Sequence, residues 1–114
     1  MVGENWFSIA AAKMNWASAR QKTIAENVAN ADTPGFVGRD VHSFESFLDA
    51  AHDPTRESPE VAAATNSWGG SFDGNKVVLE EQMVLSNQAA SSFQLAARLY
   101  RKGHDLIGIA VSSK

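Results

Sequence analysis

Cysteine is absent from the 114-residue sequence, which excludes disulfides, thiolate nucleophiles and thiolate zinc sites. No continuous apolar run approaches the ~20 residues that a membrane-spanning helix requires. The first residues, MVGENWFSIAAAKMNW, place Glu4 before the apolar side chains and lack a basic start. They therefore do not resemble a cleaved secretory signal. If the chain leaves the cytoplasm, we expect it to do so without a cleaved signal peptide.

A concentrated positive charge is also lacking. The formal net charge is −3, the sequence pI is about 5.5, and the ten basic residues are scattered along the chain. Nucleic-acid-binding domains usually carry a basic patch on one face. We therefore expect no nucleic-acid partner.

The length leaves room for one domain, residues 1–114, which we expect to be mainly α-helical. Hydrophobic residues make up 44% of the chain, and many of them are alanines, which favour close helix–helix contact over a thick core. Apolar periodicity predicts a long N-terminal helix over 5–31 and a long C-terminal helix over 77–112. They should pack as a coiled-coil-like pair, joined by an irregular, partly extended segment over 32–76 that contains all three prolines.

The C-terminal helix is apolar along two stripes, and one explanation is that both merge into a single broad core face. Because only one other long helix is available to cover them, we instead expect the second stripe to meet another molecule. The residues predicted to form the contact within one subunit are Ile24, Val28, Met83, Ala90, Phe93 and Ala97. The residues predicted to meet other subunits are Trp6, Phe7, Leu85, Leu99 and Leu106.

Residues suited to catalysis or metal binding do not form a recognisable constellation. His42, His52 and His104 lack metal-ligand spacing, and no serine lies in a nucleophile elbow. A small hydrolase that uses the loop from His42 to His52 is an alternative, but solvated side chains explain that loop more simply. We expect no enzymatic activity, no cofactor and no metal site.

The most distinctive stretch runs from Arg20 to Asp40 and reads RQKTIAENVANADTPGFVGRD. It combines the end of an amphipathic helix with a stop signal and the start of an extended segment. Pro34 disfavours helical backbone at the preceding residue, and Gly35 tolerates a positive φ angle. Asn27 and Asn30 are three residues apart and are expected to hydrogen-bond outward as a pair. The turn motif comprises Asn27, Asn30, Thr33, Pro34, Gly35 and Phe36.

The string IAENVANADTPGF, from Ile24 to Phe36, resembles the signature of axial proteins of the bacterial flagellum. The continuation to Asp40 is most similar to the FlgB family of basal-body proximal rod proteins. At the other end, DGNKVVLEEQMVLSNQAASSF contains Gly74, Met83, Asn87 and Phe93 in the order that the family shows. Phe36 stands where the family often has tyrosine, and the middle segment is short.

The resemblance implies a structural subunit of the proximal rod that assembles through its terminal helices. Such a subunit transmits torque and forms part of the export channel. The implied partners are copies of the same chain, other rod proteins and the rotor or export-gate base. The implied location is the periplasmic rod of the flagellar basal body, reached through type III export. The alternative from a different class is a soluble helical adaptor that binds an amphipathic partner helix in its second apolar stripe.

Overall fold

The computed structural model describes residues 2–49, 59–63 and 77–112. These residues form three helices and two short strands. In chain order they are α1 (Val2–Ala29), β1 (Arg39–Val41), α2 (Phe44–Asp49), β2 (Val61–Ala63) and α3 (Leu79–Ser112). The expectation of a mainly helical protein with long terminal helices packed together is confirmed.

Element boundaries differ from those predicted by a few residues. The N-terminal helix ends at Ala29 instead of residue 31, and the C-terminal helix begins at Leu79 instead of residue 77. The partly extended character expected for the segment over 32–76 is confirmed, because residues 39–41 form β1 and residues 61–63 form β2. A Val-Ala-Ala sequence has little intrinsic strand preference, so its pairing with β1 decides the conformation. The other parts of this segment, residues 50–58 and 64–76, and with them His52, lie outside the described residues.

The helices α1 and α3 run antiparallel and pack along a strip of small residues. At one end of the pair Asn27 contacts Gln82, and at the other end Trp6 contacts Leu99. Buried residues recur every seven positions on both helices, as in a coiled coil. On α1 they are Ala10, Ala17 and Ile24, and on α3 they are Ala89 and Ala96.

Two apolar strips run along α3. The one that packs against α1 is not the one that we assigned to the contact within a subunit. Ala89 and Ala96 face α1, whereas Met83 is 67% exposed and Phe93 is 37% exposed. Alanine lets the two backbones approach closely, and larger side chains on the same strip would hold the helices apart. Within one subunit, Met83 and Phe93 are therefore left exposed.

Aromatic side chains close the end of the helix pair that lies far from Asn27. The Trp6 indole N–H donates to the Leu99 carbonyl oxygen at 3.0 Å. Phe7 packs edge-on against Tyr100, with 5.0 Å between the ring centroids. Gly103 makes room for these rings, because a Cβ atom there would lie 2.8 Å from Trp6 Nε1.

A smaller cluster holds the middle segment against α1. Trp16, Ala17 and Val41 are buried together, and Phe44 and Phe47 of α2 pack against them. The strands β1 and β2 form an antiparallel pair in which Arg39 lies opposite Ala63 and Val41 lies opposite Val61. The strand pair and α2 therefore lie on one side of α1.

Replacing Gly103 with alanine tests the close approach of the helices, and Gly108→Ala on the same helix is the matched control. Alanine in a helix is worth up to about 1 kcal/mol more than glycine. Gly108→Ala should show this gain, because no atom lies within 4 Å of the added Cβ. Gly103→Ala should lose it, because the Trp6 ring must shift and its hydrogen bond, worth about 1 kcal/mol, is disturbed.

Thermal unfolding followed by circular dichroism, at equal protein concentrations, compares the two variants. We expect Gly103→Ala to unfold at a lower temperature than Gly108→Ala. Equal gains in the midpoint temperature would show that the indole does not pack on Gly103.

Candidate functional site

The motif stretch begins where α1 ends. The Asn30 N–H donates to the Glu26 carbonyl oxygen at 3.0 Å, and the Phe36 N–H donates to the Thr33 carbonyl oxygen at 3.1 Å. Gly35 has a φ angle of 76°, which L-residues with a side chain rarely adopt. With Pro34 before it, this geometry is a type II turn. The turn reverses the chain and directs the following residues back along α1.

Side chains of α1 take the place of a neighbouring strand on the outer edge of β1. The His42 N–H donates to Glu60 O next to the strand pair, so residue 42 faces β2. Because successive residues of an antiparallel pair face alternately toward and away from the partner strand, the Arg39 N–H and C=O face away from β2. The Asn27 carboxamide meets both groups. Its Nδ2 donates to Arg39 O at 2.7 Å, and its Oδ1 accepts from Arg39 N at 2.9 Å.

Two more side chains of α1 continue this contact along β1. Arg20 forms a forked ion pair with Asp40, with nitrogen–oxygen distances of 3.1 and 3.0 Å. Asp40 in turn accepts from the Val41 N–H at 2.8 Å. The Trp16 indole donates to His42 O at 2.7 Å. An exposed strand edge invites unwanted pairing, and here Asn27 pairs with both Arg39 groups on that edge.

Asn27 also ties this edge to α3. Its second Nδ2 hydrogen is donated to Gln82 Oε1 at 3.0 Å. Asn27 is 1% exposed, and its carboxamide makes three hydrogen bonds, which use both amide hydrogens and the carbonyl oxygen. The expectation that Asn27 points outward beside Asn30 is therefore wrong. The buried strip of α1 passes through position 27, whereas Asn30 bonds locally to Glu26 O.

Removing the Asn27 carboxamide should destabilise the subunit more than any comparable change at the helix end. Asn27→Ala leaves the part-buried peptide groups of Arg39 and the buried Oε1 of Gln82 without this partner. Each such loss costs about 1–3 kcal/mol, and we expect a total near 2–3 kcal/mol because the site can relax in part.

Asn30→Ala is the control, because its amide bonds only within the helix end and the turn, and it should cost less than about 1 kcal/mol. Urea unfolding monitored by circular dichroism measures both variants. Equal losses for the two variants would contradict the role given to Asn27.

The predicted packing and assembly residues are distributed differently from expectation. Of the group assigned to the contact within a subunit, Ile24 is buried, Ala90 and Ala97 are half-buried, and Val28, Met83 and Phe93 are exposed. Of the group assigned to other subunits, Phe7 and Leu85 are half-buried, and Trp6, Leu99 and Leu106 are exposed. Val28 points outward because the strip facing α3 passes through Ile24 and Asn27.

The histidine that the hydrolase alternative requires lies on the surface. His42 Nδ1 is 3.8 Å from Glu60 Oε2, and both side chains are about half exposed. Among the described residues, no group of three or more histidine, cysteine, aspartate or glutamate side chains is arranged to hold a metal ion. A search of the same residues finds no helix with the length and hydropathy needed to cross a bilayer.

Comparison with known proteins places the turn motif in a family. The profile of the family described as "Flagella basal body rod protein" matches residues 9–36, which cover most of α1 and the turn. The flagellar basal body rod protein FlgB of Agrobacterium fabrum is 29% identical over 122 aligned residues, spanning 92% of this chain and 91% of that protein. These matches support assignment of the chain to the FlgB family of flagellar rod proteins.

Two further FlgB proteins share a shorter region with this chain. Those of Escherichia coli and Shigella flexneri are each 40% identical over 52 residues, which is 46% of this chain and 37% of each relative. The matched profile and all three relatives are described as flagellar basal body rod proteins, which supports a structural subunit of the rod and not an enzyme.

Several residues that make contacts around β1 were not predicted from the sequence. Arg20 and Asp40 bound the motif stretch, but nothing in their spacing of twenty residues indicates an ion pair. Trp16 was assigned to neither contact, and it is buried with Val41 of β1 and Phe44 of α2. Gln82 is a polar residue between the apolar stripes of α3. That position was the available signal for Gln82, because a polar side chain within an apolar surface needs a hydrogen-bond partner once it is buried.

Proposed function

We propose that the chain is a subunit of the proximal rod that assembles with copies of itself and with other rod proteins through the outward faces of α1 and α3. The observation that carries this proposal is the number of large apolar side chains left exposed along α3. They are Leu79, Met83, Val84, Phe93, Leu95, Leu99, Leu106, Ile107, Ile109 and Val111. Exposed apolar surface of this extent is typical of a protein interface.

The hydrogen bonds between α1 and α3 support a role in transmitting torque. Contacts at both ends of the pair, at Asn27 with Gln82 and at Trp6 with Leu99, hold α1 and α3 as one unit. A helix of 34 residues is about 51 Å long, so a force applied at one end is carried across most of the subunit. A heterologous contact repeated along an axis is how such subunits extend into a shaft.

Family membership supports the remaining parts of the proposal. These are a location in the periplasmic rod, export without a cleaved signal peptide, contact with the rotor or export-gate base, and a contribution to the export channel. Intact-mass measurement of the chain recovered from basal bodies tests the expectation about the signal peptide directly, because cleavage would remove N-terminal residues.

Deleting the gene and imaging basal bodies by electron microscopy tests the assembly function. We expect rings without rods and loss of swimming, with rescue by the intact chain. Phe93→Asp should fail to rescue, because assembly would bury an unpaired charge. Since Phe93 is partly exposed in the subunit, the variant should keep its helical circular dichroism spectrum.

Gln94→Asp is the matched control, because it places the same carboxylate at the adjacent exposed position. We expect this variant to restore rods and swimming. Rods and swimming in the deletion strain would contradict the proposal and favour the adaptor, and normal rods with Phe93→Asp would remove Phe93 from the interface.

A further inference from the structure

A groove with apolar walls lies between α1 and α3, beside α2. Its volume is about 550 Å³, and its walls include Trp6, Ile9, Lys13, Phe44, Leu95 and Leu99. Ile9 is 50% exposed, and Leu95 and Leu99 are also exposed, so the groove is open to a partner. Spacings of three and four residues place Trp6, Ile9 and Lys13 on one face of α1. The groove therefore has the size and lining to receive side chains of another helix.

The charged side chains that line this groove and its continuation are basic. It continues past Lys13 into a more polar depression that also includes Arg20, Asn87 and Gln88. The described residues that line the groove and its continuation include no aspartate or glutamate, although the whole chain carries 13 acidic residues. Arg20 already pairs with Asp40, whereas Lys13 Nζ lies 4.4 Å from the ring centroids of Trp16 and Phe44. An occupant with a carboxylate next to apolar side chains fits this surface.

The segment of α3 from 105 to 111, here called the distal segment, has this composition. Asp105 and Ile109 are four residues apart on one helix face, and Leu106 lies next to them. All three side chains are exposed, Ile109 to 63%. The distal segment cannot reach the groove of its own subunit. Ser92 and Leu95 line the groove beside Lys13, so Asp105 lies about 15–20 Å farther along the same straight helix.

We propose that the distal segment of a second copy of this chain occupies the groove, with Asp105 against Lys13 and with Leu106 and Ile109 against the apolar walls. The inference deepens the proposed rod function and rests on it, because it names one contact between copies. It is a heterologous contact, since a groove on one copy meets a helix segment on the other.

The charged pair also sets the direction of the second copy. The apolar walls extend from Lys13 toward Trp6, which is toward the start of α1. With Asp105 at Lys13, the distal segment must therefore run antiparallel to the receiving α1, which places Ile109 near Ile9. The two α3 helices are then parallel and displaced along their axis.

Disulfide crosslinking between two singly substituted copies tests this contact, and a chain without cysteine is suited to it. One copy carries Ile9→Cys and the other, distinguished by a small tag, carries Ile109→Cys. Both are expressed in the deletion strain, and basal bodies from swimming cells are oxidised and run on a non-reducing gel. We expect a mixed dimer linking positions 9 and 109, in excess of either homodimer.

Ser8→Cys paired with Ile109→Cys is the matched control, because Ser8 is exposed next to Ile9 but does not line the groove. It should crosslink several-fold less. Adding Lys13→Glu to the Ile9→Cys copy should lower the yield about two- to fivefold, the range expected for an accessible ion pair. Adding Asp105→Lys to the other copy should then restore the yield, which a merely structural role of either residue would not explain.

Two results would overturn the inference: swimming cells with no bond between positions 9 and 109, or a bond formed equally well from Ser8→Cys. Either result would leave the rod function intact, whereas swimming of the deletion strain itself would overturn the rod function. If the first pair of copies does not support swimming, Leu95→Cys with Leu106→Cys tests the same register. Absence of that bond in swimming cells is equally decisive.

Discussion

The structure depends on one buried carboxamide. Asn27 hydrogen-bonds to the N–H and C=O of Arg39 and to the side chain of Gln82, so it joins α1, β1 and α3 at one point. A buried amide is costly unless every donor and acceptor is paired, and this requirement admits few arrangements of the three elements. Small residues at seven-residue intervals provide the close approach between the helices, and the Asn27 hydrogen bonds fix their register.

The long helices and the turn could be predicted because their signals are local. Apolar periodicity marks a helix, and Pro34 with Gly35 marks its end. The pairing of surfaces could not be predicted in the same way. Two apolar stripes on α3 competed for one partner, and the stripe that packs is the one with the smaller side chains, Ala89 and Ala96. Counting apolar residues favours the larger side chains, whereas close packing of two backbones favours alanine.

The inward position of Asn27 and the Arg20–Asp40 pair depend on how the chain returns along α1, which no local pattern specifies. β2 likewise exists because β1 offers it an edge. These contacts leave large apolar side chains exposed on α3, and the proposed assembly would cover that surface. A helical pair of this size buries little apolar area on its own. Contacts between copies would then supply stability by mass action.

If the subunit gains order from neighbouring molecules, its helicity should depend on protein concentration, and measuring that dependence is the most direct test. Circular dichroism at 222 nm should be recorded for the purified full chain over a wide range of concentrations, with and without other rod proteins. We expect helicity to rise with concentration and to rise further when rod partners are added. Full helicity at high dilution, unchanged by partners, would contradict it and would indicate an independently stable helical adaptor.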